Sequence, residues 1–161
     1  MKKYGIDLPE LNKSGHFLDD YLGQAAHKGT EAREAIASGK FDTAWGCYQE
    51  MSLLYLKHAE KQNFTKDQTL ALIGRVHRAM ARLLKKEKRH RDALIHALYF
   101  IACSDTPLEK ELKYYRPFVN RCKLKKVTIN EVTGFIKVWR KSPGFIQIRD
   151  KVAEWESLQD G

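Results

Sequence analysis

Apolar residues in this chain recur at every third or fourth position over long stretches, and nowhere do they alternate with polar ones long enough to mark a strand. Helices are therefore predicted throughout. The clearest start is Thr65-Lys66-Asp67-Gln68, where the threonine hydroxyl can accept a backbone N–H and Gln68 can reach back, opening a helix over 66–88. Thr106-Pro107-Leu108-Glu109, with proline at the first helical position, and Thr128-Ile129-Asn130-Glu131 repeat this logic and open a fifth and a sixth helix. Apolar spacing and breakers place the others at 16–38 before Gly39, at 41–62, at 90–103, and at 144–158 after Pro143-Gly144. The result is seven helices, or eight if Gly23 and Gly29 split the first, since glycine costs ~1 kcal/mol against alanine inside a helix. Pro117 removes a backbone bond in the fifth and predicts a kink or an end there.

The fold class is thus all-α. A chain of 161 residues can bury one core without metal or disulfide, and no low-complexity linker marks a boundary. The expected organisation is one all-helical domain: an extended segment over 1–15, repeat-like helices over 16–103, and C-terminal capping helices over 104–161. Hydrophobic residues make up 43 % and charged residues 30 %, which argues against disorder.

One segment carries a more specific pattern. Gly39, Phe41, Ala44, Tyr48 and Met51 follow a glycine turn with an aromatic, an alanine, an aromatic and an apolar residue, so that small residues let two helices approach while large ones fill the gap beside them. A second, looser copy runs from Lys88 through Ala93 and Ala97 to Phe100, with lysine in place of the turn glycine and Ala81 at the small position of the preceding helix. Together, residues 28–103 resemble tetratricopeptide repeats. The resemblance implies antiparallel helix-turn-helix pairs in a right-handed repeat. Ala44 and Ala93 are 49 residues apart, against about 34 in a regular array, so the resemblance is to a divergent form, and a generic helical bundle is the alternative. Trp139 and Trp155 are the expected anchors for the capping helices.

Charge sharpens the reading of the third helix. The net charge is +9, and all of the excess falls in the second half: residues 1–74 carry nine Lys or Arg against ten Asp or Glu, and residues 75–161 carry twenty against ten. At ~100° per residue, Leu72, Ile73, Val76, Met80, Leu83 and Leu84 gather on one side of the third helix, and Arg75, Arg78, Arg82, Lys85, Lys86 and Arg89 gather on the other. No acid of the third helix sits at their i+3 or i+4 positions to relieve their mutual repulsion. In tetratricopeptide proteins the first helix of each pair lines the concave groove, so the resemblance implies that these cations grip a ligand, often an acidic peptide or a terminal carboxylate. The expected function is a non-catalytic interaction module, an adaptor or scaffold that takes an acidic protein segment. The alternative is nucleic-acid binding through the same stripe, extended by Arg121, Lys123, Lys125 and Lys126. A solvated, solubilising face is the competing reading of the same stripe, and an apolar groove or self-association as the working interface is the third possibility.

Other chemistry finds no support in the residues. Cys47, Cys103 and Cys122 are odd in number and widely spaced, and are expected to be reduced, inert and mostly buried. The six histidines show neither a His-x-x-x-His pair nor a Cys-x-x-Cys partner, and His77 and His96 fall on or near apolar faces as core or boundary residues. With no phosphate loop, nucleophile elbow or dinucleotide fingerprint, neither an enzyme, a metal site nor a cofactor is expected. No apolar run reaches the ~20 residues that span a bilayer, and no apolar block follows the first lysines as in a secretory signal. The expected location is the cytoplasm.

Overall fold

The computed structural model describes residues 2–3, 6–7 and 19–160. It is all-α: α1 spans Tyr21–Ala37, α2 Phe41–Lys61, α3 Lys66–Lys86, α4 His90–Cys103, α5 Leu108–Arg121, α6 Ile129–Trp139 and α7 Phe145–Ser157, with a short 3₁₀ turn at Leu158–Asp160. Lys2–Lys3 and Ile6–Asp7 form a two-residue antiparallel pair. The rest of the expected 1–15 segment, and residues 16–18 of the expected first helix, lie outside the described residues. Among the described residues, no helix is long and apolar enough to cross a membrane. The chain divides into two compact units, residues 1–64 and 65–161.

The first unit is the α1/α2 pair. The two helices are antiparallel: Lys28 pairs with Glu50, and Lys61 near the end of α2 pairs with Asp19 just before α1. Their approach is close because α1 buries only small residues, Ala25, Gly29, Ala32 and Ala35, against Ala44, Cys47, Tyr48, Tyr55 and Ala59 of α2. Gly29 lies beneath Met51, whose Cε is 3.4 Å from the place a Cβ would occupy. Neither Gly23 nor Gly29 splits α1. Gly23 sits in the first turn, where its N–H donates to Oδ1 of the capping Asp20 at 3.0 Å.

The second unit is built around α4. Nine of its residues are buried, among them Leu94, Leu98 and Ile101, and it packs against α3, α5, α6 and α7. A helix apolar on nearly all sides must be covered on all sides, and each large side chain fully withdrawn from water contributes ~1.5–3 kcal/mol. Gly74 lets α3 lie tight against α4, since a Cβ there would come 3.1 Å from Cβ of Cys103. Trp155 is buried with its ring edge-on to Phe135, whereas Trp139 is only half-buried.

The two pairs turn in the same way. Gly39 (φ 73°) and Lys88 (φ 61°) both occupy the left-handed region after a helix. In each turn the next N–H reaches back five residues, Lys40 to the Ala35 carbonyl at 2.8 Å and Arg89 to Leu84 at 2.9 Å. Asn63 (φ 52°) ends α2 by the same device, with the Phe64 N–H on the Ala59 carbonyl at 2.9 Å. The lysine that replaces glycine in the looser copy thus adopts the glycine's conformation.

Of three helix-end expectations, one holds and two need adjustment. The box at Thr65 forms in full: the Gln68 N–H donates to Oγ1 at 3.2 Å and the Thr65 N–H to Gln68 Oε1 at 2.9 Å. The box at Thr106 does not form, because Pro107 itself takes the cap position with an extended ψ of 138° and leaves the threonine one residue outside. The Thr106 N–H donates to Ser104 Oγ instead, and the Ser104 hydroxyl donates to Oε1 of the buried Glu111. Pro117 does not end α5, which continues to Arg121; the carbonyl it leaves unbonded belongs to Lys113, an exposed residue whose backbone water can reach.

Candidate functional site

The cations of α3 keep the arrangement read from the sequence. Arg75, Arg78, Arg82, Lys85 and Lys86 are all exposed and span an arc of about 100° on the helix surface. The opposite face buries Ile73, Val76, Met80, Leu83 and Leu84. Among the described residues, no carboxylate pairs with any of these five cations. Elsewhere on the surface Lys28, Lys61, Arg91, Lys141 and Lys151 each face an Asp or Glu, while single cations such as Lys110, Lys113 and Arg116 face no described one. Arg89 belongs with that second group. It lies beyond the end of α3 as the residue capping α4, and its guanidinium holds Asp92 at 2.8 Å.

Aromatic rings support part of this stripe. The Arg78 guanidinium carbon lies 5.5 Å from the ring centroids of both Phe100 on α4 and Tyr114 on α5, and Lys85 Nζ is 5.8 Å from that of Phe118, one turn further along α5. Each such contact contributes ~0.5–1 kcal/mol at an exposed site, and it restricts the cation without neutralising it. The order of the contacts also fixes the geometry. Arg78 meets Tyr114 and Lys85 meets Phe118, so α3 and α5 run side by side in the same direction, with α4 between them as the floor.

A cleft of about 440 Å³ opens at the N-terminal end of this groove, within the ~300–1,000 Å³ typical of ligand clefts. Leu70, Ala71, Gly74, Arg75 and Arg78 of α3 form one wall, Glu111 and Tyr114 of α5 the other, and Phe100, Cys103 and the 104–106 loop close it. Arg140 pins that loop by donating to the Ser104 carbonyl at 3.1 and 2.6 Å and to the Thr106 carbonyl at 2.5 Å. The Tyr114 hydroxyl is buried and finds no hydrogen-bond partner among the described residues. Burial pushes its pKa up to about 12, against the opposing pull of Arg78 and Arg82.

The second basic group is set apart from this cleft. Lys123 and Lys125 line a separate hollow of about 230 Å³ with Val119, Leu124, Val127 and Ile129, and the Lys126 N–H donates to Gln159 Oε1. Lys123 also adopts the left-handed conformation (φ 52°) that ends α5.

His77 and His96 satisfy each other. Their Nδ1 atoms are 2.9 Å apart and their rings stack with centroids 5.1 Å apart, enclosed by Tyr99 and Phe145. Burial lowers the pKa of His77 to about 3, helped by repulsion from His96, and that of His96 to about 4. All three cysteines are free; Cys47 and Cys103 are buried and Cys122 half-buried. Burial raises the thiol pKa of Cys103 to about 12 and of Cys122 to about 11, so neither is a ready nucleophile at neutral pH.

The cationic face was legible in the sequence from helical spacing alone. Phe100, Tyr114 and Phe118 were not assigned to the site, because their relation to Arg78 and Lys85 arises only when α4 and α5 pack beside α3. Comparison with protein-family models, curated proteins and solved structures finds no match to the chain.

Proposed function

We propose that this protein is a non-catalytic interaction module, built on a divergent helical repeat of tetratricopeptide kind, that receives an acidic segment of a partner protein along α3. One observation carries the reading: Arg75, Arg78, Arg82, Lys85 and Lys86 form a continuous exposed row that no described carboxylate answers, at the edge of a cleft. Leaving five like charges together costs a few tenths of a kcal/mol per close pair, a cost that a polyanionic partner relieves. The arginines add geometry, since a guanidinium fork pairs both oxygens of a carboxylate. The matching left-handed turns at Gly39 and Lys88 support the repeat.

The test is a pull-down from native lysate with the wild type and an Arg75/Arg78/Arg82→Glu variant, with and without nuclease. Capture of a protein that survives nuclease and is lost in the variant is the expected result. Capture abolished by nuclease points instead to nucleic acid, with an affinity that falls steeply with salt as phosphate counterions are released. Capture unchanged in the variant removes the α3 row from the binding role.

A further inference from the structure

The cleft and the cationic row are not superimposed; one follows the other. The cleft takes its α3 wall from residues 70, 71, 74, 75 and 78, and the exposed cations continue past it to Lys86. From Arg75 to Lys86 is eleven residues, or ~17 Å at 1.5 Å per residue. The cleft is walled by Leu70, Ala71, Phe100 and Tyr114 and has Arg75 and Arg78 on its rim; its two carboxylates are already engaged, Asp105 by Lys141 and Glu111 by the Ser104 hydroxyl. A purely acidic chain would leave these carbon surfaces uncovered, and a purely apolar one would leave the cations unanswered.

Resting on the proposed acidic-segment reading, we infer that the partner segment is bipartite: one large apolar side chain, of aromatic size, is seated in the cleft between α3 and α5, and a run of carboxylates extends from it over Arg78, Arg82, Lys85 and Lys86. Charge complementarity chooses an acidic protein segment as the occupant. The spacing sets its length: in extended form, at ~3.3 Å per residue, about five residues after an anchor seated level with Arg75 cover the ~17 Å to Lys86. Arg78 joins the two parts, because it borders the cleft and is held over Phe100 and Tyr114 with its donor edges free of any described carboxylate.

The experiment uses the full chain and three fluorescein-labelled peptides: phenylalanine followed by five glutamates, the reversed sequence, and five glutamates with serine in place of phenylalanine. Binding is read by fluorescence anisotropy at low salt for the wild type, Arg78→Glu and Ala71→Phe. Ala71 is exposed on the cleft wall, so the larger side chain fills the cleft without entering the core. One of the two phenylalanine peptides is expected to bind the wild type at least tenfold more tightly than the serine peptide. Ala71→Phe should erase that preference, bringing the phenylalanine peptides to the affinity of the serine peptide for the same variant, and Arg78→Glu should weaken all three. Equal affinities of the wild type for all three peptides overturn the anchor while the acidic-segment reading stands. A preference that persists in Ala71→Phe overturns the cleft as its seat. Absence of binding by every peptide overturns both readings.

Discussion

Acid should unfold this protein earlier than its carboxylates alone dictate, through the buried pair His77 and His96. With the two Nδ1 atoms 2.9 Å apart, one ring must donate and the other accept, so the pair cannot be protonated on both rings, and burial keeps each neutral. Burial is the first cause of both depressed pKa values; around His96, Asp92 pulls upward and Arg89 downward. The folded values, about 3 and about 4, lie below the ordinary 6.5 of an unfolded histidine. The unfolded chain therefore takes up the protons that the folded chain refuses. The stability held by the pair is complete above ~6.5 and is lost as pH falls below it. At pH 5 an unfolded histidine is almost fully protonated and both folded ones are not, which shifts the balance by about 2 kcal/mol per ring, or ~4 kcal/mol for the pair. That is a large share of the ~5–15 kcal/mol that holds a typical domain together. Urea titrations at pH 7.5 and 5.0, followed by circular dichroism, read the difference, and a His77→Phe/His96→Leu variant isolates the pair. Asp19 and Glu31, whose pKa values are lowered by Lys61 and by Lys28 with His27 respectively, begin to contribute only at lower pH. A wild-type loss under about 1 kcal/mol between the two pH values, or an undiminished loss in the double variant, refutes the reasoning.

Two further outcomes follow from the turns and the loop. Lys88→Gly relieves a left-handed lysine (φ 61°), whose conformation costs about 1–2 kcal/mol, against ~0.5–1 kcal/mol for the added freedom of glycine in the unfolded chain; a net gain of about 0.5–1 kcal/mol is expected in urea, and the opposite sign for Gly39→Ala. Arg140→Ala removes the three donations to the Ser104 and Thr106 carbonyls; a loss of about 2 kcal/mol and faster proteolysis within 104–107 are expected, measured by thermal melting and limited digestion.

The helices were legible wherever a local signal decides the backbone. Thr65 and Gln68 could be paired on paper because they lie three residues apart, and Gly39 could be seen to end a helix because few other residues take its φ. The reading failed where a local signal met a second constraint: Thr106 lost its cap role to the extended Pro107, and Pro117 stayed inside α5 because its unmatched carbonyl lies at an exposed residue. Lys88 shows the converse. The sequence marked it as a departure from the repeat, yet the backbone treats it as the glycine it replaces.

The site divides along the same line. Helical periodicity alone groups Arg75 with Lys86, because every member lies on one element. Phe100, Tyr114 and Phe118 reach the cations from α4 and α5, and His96 reaches His77 from 19 positions away; only packing reveals these partners. What packing adds also changes how the charges are weighed. A face that serves only to hold water gains nothing from having its cations restrained, and exposed lysines and arginines ordinarily keep their rotamer freedom, worth up to ~2 kcal/mol each. Here Arg78 and Lys85 give up part of that freedom to rings of neighbouring helices, while no described carboxylate competes for their donors. Restrained cations that remain electrostatically unanswered lose less entropy when a partner arrives. The Arg75/Arg78/Arg82→Glu variant therefore tests more than net charge: Arg78→Lys, which keeps the charge but gives up the planar fork and its stacking, should weaken the phenylalanine–glutamate peptide more than Arg82→Lys, where no ring contact is at stake.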